Sequence, residues 1–249
     1  MSGTFSDRWP STRAGEALLR KLKLHSSLTE EQERALQALP SATVEARPRT
    51  QPLHQGDHTG SSCLVVDGAV ARYKLLPDGE RQILSFHFSG DIVDLGSLHL
   101  ERSDCSAVAI GQARLAYLPH EALRDVMSRH AGVALALWRE TQIDAAIARE
   151  WLLNVGRRSA YAKLAHLFCE LAVRMEQVGL CQTGCYRLAA TQIDLADATG
   201  MTSVHVNRTL QSLRGDGLIS TQGSELRIMD WNALADAGSF DPAYLNLTA

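Results

Sequence analysis

The chain has 249 residues, of which 45% are hydrophobic and 21% are charged, as in folded globular proteins rather than disordered or fibrous ones. This length allows one large domain or two domains of roughly 100–150 residues. The formal net charge of −3 argues against a protein that coats nucleic acid through bulk positive charge, but it leaves room for a locally placed reading element.

The start of the chain and its cysteines bear on cellular location. The first residues lack the apolar core of a signal peptide, and no run approaches 18 apolar residues. The cysteines form an odd, scattered set: Cys63, Cys105, Cys169, Cys181 and Cys185. We therefore expect a cytoplasmic protein with reduced thiols and no membrane contact.

The predicted elements begin with two short helices. Residues 1–12 are polar and mixed, and we expect them to be frayed. Helices are predicted near residues 14–24 and 29–39. In the second, Thr29 is the expected N-cap, with Gln32 three residues further on.

The region from about 42 to 118 has a different pattern of apolar residues. Helical periodicity disappears, and short apolar runs alternate with turn residues. Several short strands at such spacing predict an antiparallel sandwich or barrel. Asp-Gly pairs at 67–68 and 78–79 predict β-hairpins, whose turns need a positive φ.

Helical periodicity returns after this region. The stretch "HEALRDVMSRH" predicts a short helix, Gly132 is expected to interrupt it, and residues 133–155 predict a rod of roughly 35 Å. This long helix either packs on its own domain or pairs with a second copy. Four apolar residues recur along one side at the spacing of a two-stranded seam, and we predict dimerisation through Ala136, Ile143, Ile147 and Trp151.

A further amphipathic helix is predicted over residues 157–178, followed by a loop that contains Cys181 and Cys185. The next stretch, 191–219, predicts two short helices. Thr191 caps the first helix, Gly200 takes the positive φ of the turn, and Thr202 caps the second helix. Two helices that meet across such a turn form a helix-turn-helix.

The faces of the second helix indicate its role. Its apolar residues Val206, Leu210 and Leu213 are expected to face a core. The residues opposite or flanking this apolar face are mostly good hydrogen-bonding groups and are concentrated in the first turns of the helix: Ser203, Val204, Asn207, Arg208 and Gln211. Side chains in the first turns of a recognition helix contact base edges. The alternative is an ordinary pair of helices whose polar face lies in solvent. A β-hairpin predicted around Gly223-Ser224, which would form the wing of a winged helix, makes this alternative less favourable.

Charge limits how such a module could bind DNA. Residues 156–231 contain eight basic and seven acidic side chains, a balance of +1. The affinity for DNA must then come from a few well-placed contacts in each subunit and from the presence of two such modules in a dimer. We expect the DNA affinity to depend only weakly on salt, since the slope of log K against log salt concentration is about 0.9 per phosphate neutralised.

The residues "LADATGMTSVHVNRTLQSLRGDGLI" resemble the helix-turn-helix of the Crp/Fnr transcription regulators, and roughly residues 20–249 are similar to that family. The resemblance implies an α+β fold: a β-roll like a cyclic-nucleotide-binding domain, a long dimerisation helix and a winged helix-turn-helix. The expected divisions are a tail and helix at 1–24, a sensor at 25–130, the dimerisation helix at 131–155 and the DNA-binding domain at 156–249.

The resemblance also implies a homodimer that binds a two-fold symmetric site in double-stranded DNA and works with RNA polymerase. The family's base-reading positions fall on Ser203, Val204, Asn207 and Arg208, and its phosphate contacts fall on two further residues, Gln192 and Thr202. Arg208 matches the family and can bind guanine O6 and N7. Known members carry Glu at the position of Val204, and one subgroup carries Arg at that of Ser203. The half-site sequence therefore stays open.

The resemblance is weaker in the sensor. Cyclic-nucleotide binders use an Arg-Ser pair for the phosphate, and here Cys105 and Ser106 stand at those positions, with Arg102 nearby as the one candidate replacement. Because an anion in an apolar pocket needs a cation, we expect no response to cAMP. Residues 1–62 contain no cysteine, so no iron–sulfur cluster is expected and no cofactor is predicted. The effector stays unknown, and a member without any ligand remains open.

A cupin-like metalloprotein or metalloenzyme is the alternative from a different class. Four histidines lie in or near the β region: His54, His58, His87 and His99. A metal site needs three or four converging ligands, and the His-x-His pattern of cupins is missing. We predict neither a metal site nor an enzyme, while a redox or metal role of Cys181 and Cys185 remains open.

Overall fold

The computed structural model describes residues 12–247; of the stretch predicted to be frayed, residues 1–11 lie outside the described residues. The fold is α+β, as predicted. It begins with helices α1, Thr12–Leu22, and α2, Glu30–Gln37. The predicted cap of α2 is confirmed: the Thr29 hydroxyl accepts from the Gln32 amide at 3.4 Å, and the Gln32 side chain accepts from the Thr29 amide at 3.0 Å.

Six strands form the β-roll. They are β1, Ala42–Ala46; β2, Ser61–Asp67; β3, Val70–Leu75; β4, Arg81–His87; β5, Ser106–Ala109; and β6, Ala113–Pro119. Two antiparallel three-stranded sheets result, ordered β1-β6-β2 and β4-β3-β5. Between them lies a core of small and branched apolar side chains that includes Val65, Val70 and Leu115. The predicted antiparallel β domain is therefore confirmed.

One of the two predicted hairpins is wrong. The turn at Asp78-Gly79 joins the paired strands β3 and β4, and Gly79 has φ +91°. The turn at Asp67-Gly68 instead carries the chain between sheets, because β2 pairs with β6 and β3 pairs with β4 and β5. At Gly68, φ is +84° and a Cβ would lie 2.5 Å from the Gln112 carbonyl oxygen, so glycine is needed there for the crossing.

The helices that follow are α3, His120–Arg129, and α4, Ala131–Arg157. The break predicted at Gly132 falls instead at His130, whose φ of −129° and ψ of 87° are not helical. Gly132 lies inside α4, where a Cβ would be 2.5 Å from the side-chain Nε2 of Gln32 on α2. Glycine here leaves room for the Gln32 side chain and does not end a helix.

The apolar stripe predicted as the dimer seam faces the interior of its own chain. Ala136 packs with α1 and the β-roll, whereas the other three pack in a core that the β-roll shares with the DNA-binding half of the chain: Ile143, Ile147 and Trp151. All four side chains are 2–6% exposed. A second copy cannot reach them in this conformation, which corrects their assignment. The prediction went wrong because α4 carries a second apolar row, whose members Leu135, Trp138 and Leu152 are 61%, 63% and 74% exposed.

The C-terminal half begins with α5, Ala160–Gln177, whose apolar face is buried as predicted. Helices α6, Gln192–Thr199, and α7, Ser203–Gly215, follow the short strands β7, Cys181–Gln182, and β8, Cys185–Arg187. The segment predicted as a loop around Cys181 and Cys185 is thus a hairpin. It joins the predicted wing, β9, Ile219–Gln222, and β10, Glu225–Ile228, in a sheet ordered β7-β8-β10-β9.

A buried polar cluster fixes the C-terminus onto α5. Helix α8, Trp231–Gly238, and a short turn at Pro242–Leu245 pack against α5 and α4. The buried Glu170 carboxylate accepts from Trp151 Nε1 at 3.0 Å and from the Tyr244 hydroxyl at 2.8 Å. Among residues 12–247, no helix combines the length and apolar character needed to cross a membrane.

Candidate nucleic-acid interface

Local hydrogen bonds build the helix-turn-helix as predicted. The Thr191 hydroxyl accepts from the Asp194 amide at 3.2 Å, and the Asp194 carboxylate accepts from the Thr191 amide at 2.9 Å. Gly200 has φ +65°, the left-handed conformation that ends α6 and reverses the chain. The Thr202 hydroxyl accepts from the His205 amide at 3.2 Å and so starts α7.

Helix α7 has the two faces expected of a recognition helix. Val206, Leu210 and Leu213 are buried in the core shared with α5, as predicted. Five of the six residues predicted to contact DNA are exposed, and Asn207 is half-buried; the exposed ones are Gln192, Thr202, Ser203, Val204 and Arg208. Because the apolar face fixes the rotation of α7, the polar face of its first turns points into solvent.

The structure brings two predicted contact residues together across the turn. Asn207 Nδ2 donates to Gln192 Oε1 at 3.2 Å, and Gln211 Nε2 donates to Asn207 Oδ1 at 3.2 Å. This row of three amides joins the N-terminus of α6 to the middle of α7. Gln192, predicted to contact phosphate, and Asn207, predicted to contact a base, are therefore oriented as one unit.

Sequence reasoning missed two further residues of this surface. His205 is exposed in the first turn of α7, a position that the helical spacing alone could have indicated. Arg214, at the end of α7, donates from Nη1 to the Thr221 hydroxyl of β9 at 2.8 Å and so holds the wing against the recognition helix. That contact depends on the placement of the wing, for which the sequence carries no signal.

Two arginines of the β-roll bind the first helix of the helix-turn-helix. Asp194 Oδ1 accepts from Arg49 Nη1 and from Arg81 Nη2, both at 2.7 Å. Arg81 Nε also donates to Asp197 at 2.7 Å, and Gln82 Nε2 donates to the Asp197 carbonyl oxygen at 2.6 Å. Burial by itself raises the pKa of Asp194, but hydrogen bonds from Arg49, Thr191 and Arg81 bring that pKa below its ordinary value.

These ion pairs change the charge that the DNA-binding half presents. Asp194 and Asp197 count among the seven acidic side chains of residues 156–231, yet Arg49 and Arg81 of the β-roll neutralise both. Leaving out these two carboxylates, and also Arg158, which pairs with Glu150 of α4 outside the segment, changes the balance of that segment from +1 to +2. The nearly neutral formal charge therefore understates how positive this half of the protein is when it is docked on the β-roll.

The predicted replacement for the phosphate-binding arginine points elsewhere. Arg102 is exposed and donates to the Gly56 carbonyl oxygen at 2.8 Å. Cys105 is buried, which raises the pKa of its thiol to about 11. The cavity between the β-roll and α4 has a volume of about 170 Å³. Its cations are already matched by carboxylates, Arg72 by Asp144 at 2.6 Å among them.

The histidines of the β region do not converge. His87 is buried and shares a 2.8 Å hydrogen bond with the Ser85 hydroxyl, while the other three are exposed: His54, His58 and His99. Within the part of the chain that the structure describes, no three His, Cys, Asp or Glu side chains are grouped as metal ligands. Cys181 and Cys185 are free thiols. The cupin-like alternative is therefore not favoured.

The fold and this surface define a winged-helix DNA-binding module joined by a long helix to a β-roll. Residues 162–237 match the Crp-like helix-turn-helix domain, and residues 43–130 match the cyclic nucleotide-binding domain. The chain belongs to the Crp/Fnr family of transcription regulators and is a DNA-binding transcriptional regulator.

Individual relatives agree with this family. The chain is 25% identical over 224 residues to the transcriptional activator protein anr of Pseudomonas aeruginosa, a match that covers 89% of this chain and 90% of that one. It is 33% identical over 161 residues to the nitrogen fixation regulation protein FixK of Azorhizobium caulinodans, covering 65% and 64%. The structure of FixK2 from Bradyrhizobium japonicum superposes with a TM-score of 0.72 at 26% identity, over 80% of this chain and 98% of that one.

Proposed function

We propose that this regulator binds a two-fold symmetric DNA site as a homodimer and acts with RNA polymerase in the cytoplasm, without catalysing a reaction. The observation that carries the proposal is the orientation of α7: its apolar face is buried while Ser203, Val204 and Arg208 are exposed at its N-terminal half. A helix presented in this way fits the major groove.

Each side chain has a role that its chemistry supports. Arg208 can donate two hydrogen bonds to guanine, Asn207 can bind adenine or a phosphate, and Val204 can contact a thymine methyl group. Thr202 and Gln192 lie at the N-termini of α7 and α6, where backbone amides and the helix dipole favour a phosphate.

The exposed row of α4 supports dimerisation. Leu135, Trp138 and Leu152 fall on one heptad pattern, which places Gln142, Ala145 and Arg149 at the positions between them. Alternating steps of three and four residues form the seam of a two-stranded coil. Leaving side chains this large and apolar in water is unfavourable, so pairing of two α4 helices along this row would stabilise a dimer.

We also propose that cAMP is not the effector. The 170 Å³ cavity between the β-roll and α4 is below the roughly 300 Å³ at which small-molecule sites begin. Its cations are already paired with carboxylates, and neither Cys105 nor the outward-facing Arg102 supplies a phosphate ligand. Titration of the full-length protein with fluorescent cAMP should show no saturable binding at micromolar concentrations.

The direct test is selection of bound sequences from random duplex DNA with the full-length protein. We expect the selected sites to contain an inverted repeat with half-sites about 10 bp apart, one helical turn. Selection of single half-sites, or of no sequence at all, would contradict the proposal. Repeating the selection with Arg208→Ala should remove the preference for one base pair in each half-site.

A further inference from the structure

A second, larger cavity lies between the β-roll and the DNA-binding half. Its volume is about 560 Å³, within the range of sites that hold small organic molecules. The β-roll contributes Phe88 and Ile110 to its wall, and the other half contributes Leu171, Met175 and Leu188. It is separate from the cavity beside α4, which is smaller and lined by charged pairs.

The wall is apolar, and polar groups are few. Gln112 and Asp67 of the β-roll and Arg187 and Ser224 of the wing sheet also line it. Arg187 is the one basic residue among the lining residues, and its Nε donates to the Ser224 hydroxyl at 3.1 Å. A guanidinium has five N–H donors in a fork that fits a carboxylate or sulfonate, so this bond leaves donors for an anion.

We propose that this cavity binds a small amphipathic molecule, with an apolar ring or chain against Phe88, Leu171 and Met175 and one anionic group at Arg187. An apolar body would fill space lined by side chains of both halves. A ligand with one negative charge would pair with Arg187. A second negative charge would have no cation among the lining residues and would be repelled by Asp67. Ligand pockets at domain interfaces with a few placed polar groups have this composition.

The position of the cavity connects such a ligand to the helix-turn-helix. Ala189 and Ala190 line it and belong to the segment that leads from β8 to α6. This segment lies close to the β-roll: a Cβ on Gly111 would be 3.1 Å from Ala189 Cβ. A bound molecule would therefore contact both halves where α6 is held by Arg49 and Arg81, and would favour one placement of α7. This coupling rests on the proposed DNA-binding function, whereas ligand binding does not.

The test uses two fluorescent probes on the full-length protein. The first, 1-anilinonaphthalene-8-sulfonate, has an aromatic body and one anionic group; the second, N-phenyl-1-naphthylamine, has the same body without charge. We expect both to bind with a stoichiometry of one per chain. Arg187→Gln should weaken the sulfonate about tenfold, as loss of one charge-assisted hydrogen bond does, and leave the neutral probe unchanged. Arg227→Gln, on the neighbouring strand β10 and outside the cavity wall, is the matched control and should change neither.

Methyl NMR locates the bound probe without a disruptive substitution. With ¹³C-methyl methionine, the Met175 signal, assigned by Met175→Leu, should shift on probe addition. The Met127 signal should not, because that residue packs in the separate core beneath α3. Ala189→Trp should fill the cavity and weaken both probes. An unmoved Met175 signal, or sulfonate binding insensitive to both Arg187→Gln and Ala189→Trp, would overturn the proposal.

A last measurement separates this proposal from the proposed function. The DNA affinity of the full-length protein is measured on a selected site with and without the sulfonate probe. A change of threefold or more that disappears in Ala189→Trp supports regulation through the cavity, and an unchanged affinity overturns that regulatory step. Probe binding at Met175 without any DNA binding would instead mean that the ligand site is correct and the proposed function is wrong.

Discussion

Arg81 of the β-roll and Asp194 of the helix-turn-helix are joined by a 2.7 Å ion pair, although 113 positions separate them in the chain. Asp194 is 1% exposed, and Arg49 donates to the same carboxylate. An Asp with two guanidinium partners is held more firmly than one in an exposed pair, since little water competes for it. The two halves of the regulator are therefore linked directly, in addition to the covalent path through α4 and α5.

Arg81→Gln should loosen this link. The substitution removes one partner of Asp194 and the only side chain that binds the Asp197 carboxylate among the described residues. Because Arg49 remains in place, we expect a loss of about 1–3 kcal/mol in the free energy of unfolding. Hydrogen exchange should show faster exchange in α6.

The matched control is Arg129→Gln, which removes an exposed ion pair with Asp125. An exposed pair of this kind contributes about 0–1 kcal/mol, so both stability and α6 exchange should stay close to those of the wild type. If the two variants behaved alike, the contact between Arg81 and α6 would not be a significant link.

The contribution of Asp194 should depend on pH. Its pKa in the folded chain lies below its ordinary value, so the stability it adds is complete above the ordinary pKa of about 4 and is lost as the pH falls through the lowered one. The difference in unfolding free energy between wild type and Asp194→Asn should be constant above about pH 5 and should shrink below pH 4. Denaturant titrations across this range measure it, and a difference that instead grew in acid would contradict the assigned pairing.

His87 should oppose folding in mild acid. Burial, reinforced by the charge of Arg72, lowers the pKa of His87 from 6.5 to about 3. Between these values the unfolded chain binds a proton that the folded chain does not, so stability falls as the pH decreases, by about 1.4 kcal/mol per unit for this group. In His87→Gln this part of the slope should disappear, and the wild-type His87 ring signals should not titrate near pH 6.5 in NMR spectra.

Arg208→Ala should weaken binding to the selected DNA site by about 1–3 kcal/mol and relax the preference at one base pair. The informative partner is Arg208→Lys, which keeps the charge but loses the two-pronged geometry. If Arg208 reads a guanine, Lys should restore little of the preference. If Lys restored both affinity and preference, Arg208 would be a phosphate contact.

Trp138→Glu and Leu152→Glu should each weaken the dimer at least tenfold, because each places a charge in the seam proposed along α4. Sedimentation velocity over a range of protein concentrations measures the change. Leu100→Glu alters an apolar residue of the β-roll that is 57% exposed and should leave the association unchanged. Dimers that survived both α4 substitutions would place the interface elsewhere.

Features encoded by neighbouring residues were predictable from the sequence. The caps at Thr29, Thr191 and Thr202 and the turn at Gly200 each depend on side chains and dihedral angles within a few positions. The polar face of α7 was predictable for the same reason, since helical spacing separates it from the buried Val206.

Features that depend on packing were not predictable. Helix α4 carries two apolar rows, and only the placement of α5 and the β-roll decides that Ile143 is buried while Trp138 is exposed. Likewise, the Asp67-Gly68 turn has the local pattern of a hairpin, but strand pairing at long range sends it between sheets. The contact between Arg49 and Asp194 spans 145 positions and has no local signature.

The counter-charges on α6 have a consequence for exchanging parts between relatives. A fragment cut before α5 would carry Asp194 and Asp197 to the phosphates uncompensated, because their cations, Arg49 and Arg81, stay behind on the other piece. Chimeras that graft this winged helix onto a foreign β-roll would then bind their operators weakly for an electrostatic reason unrelated to base recognition. A functional hybrid should require that the foreign β-roll carries arginines at the positions that correspond to Arg49 and Arg81.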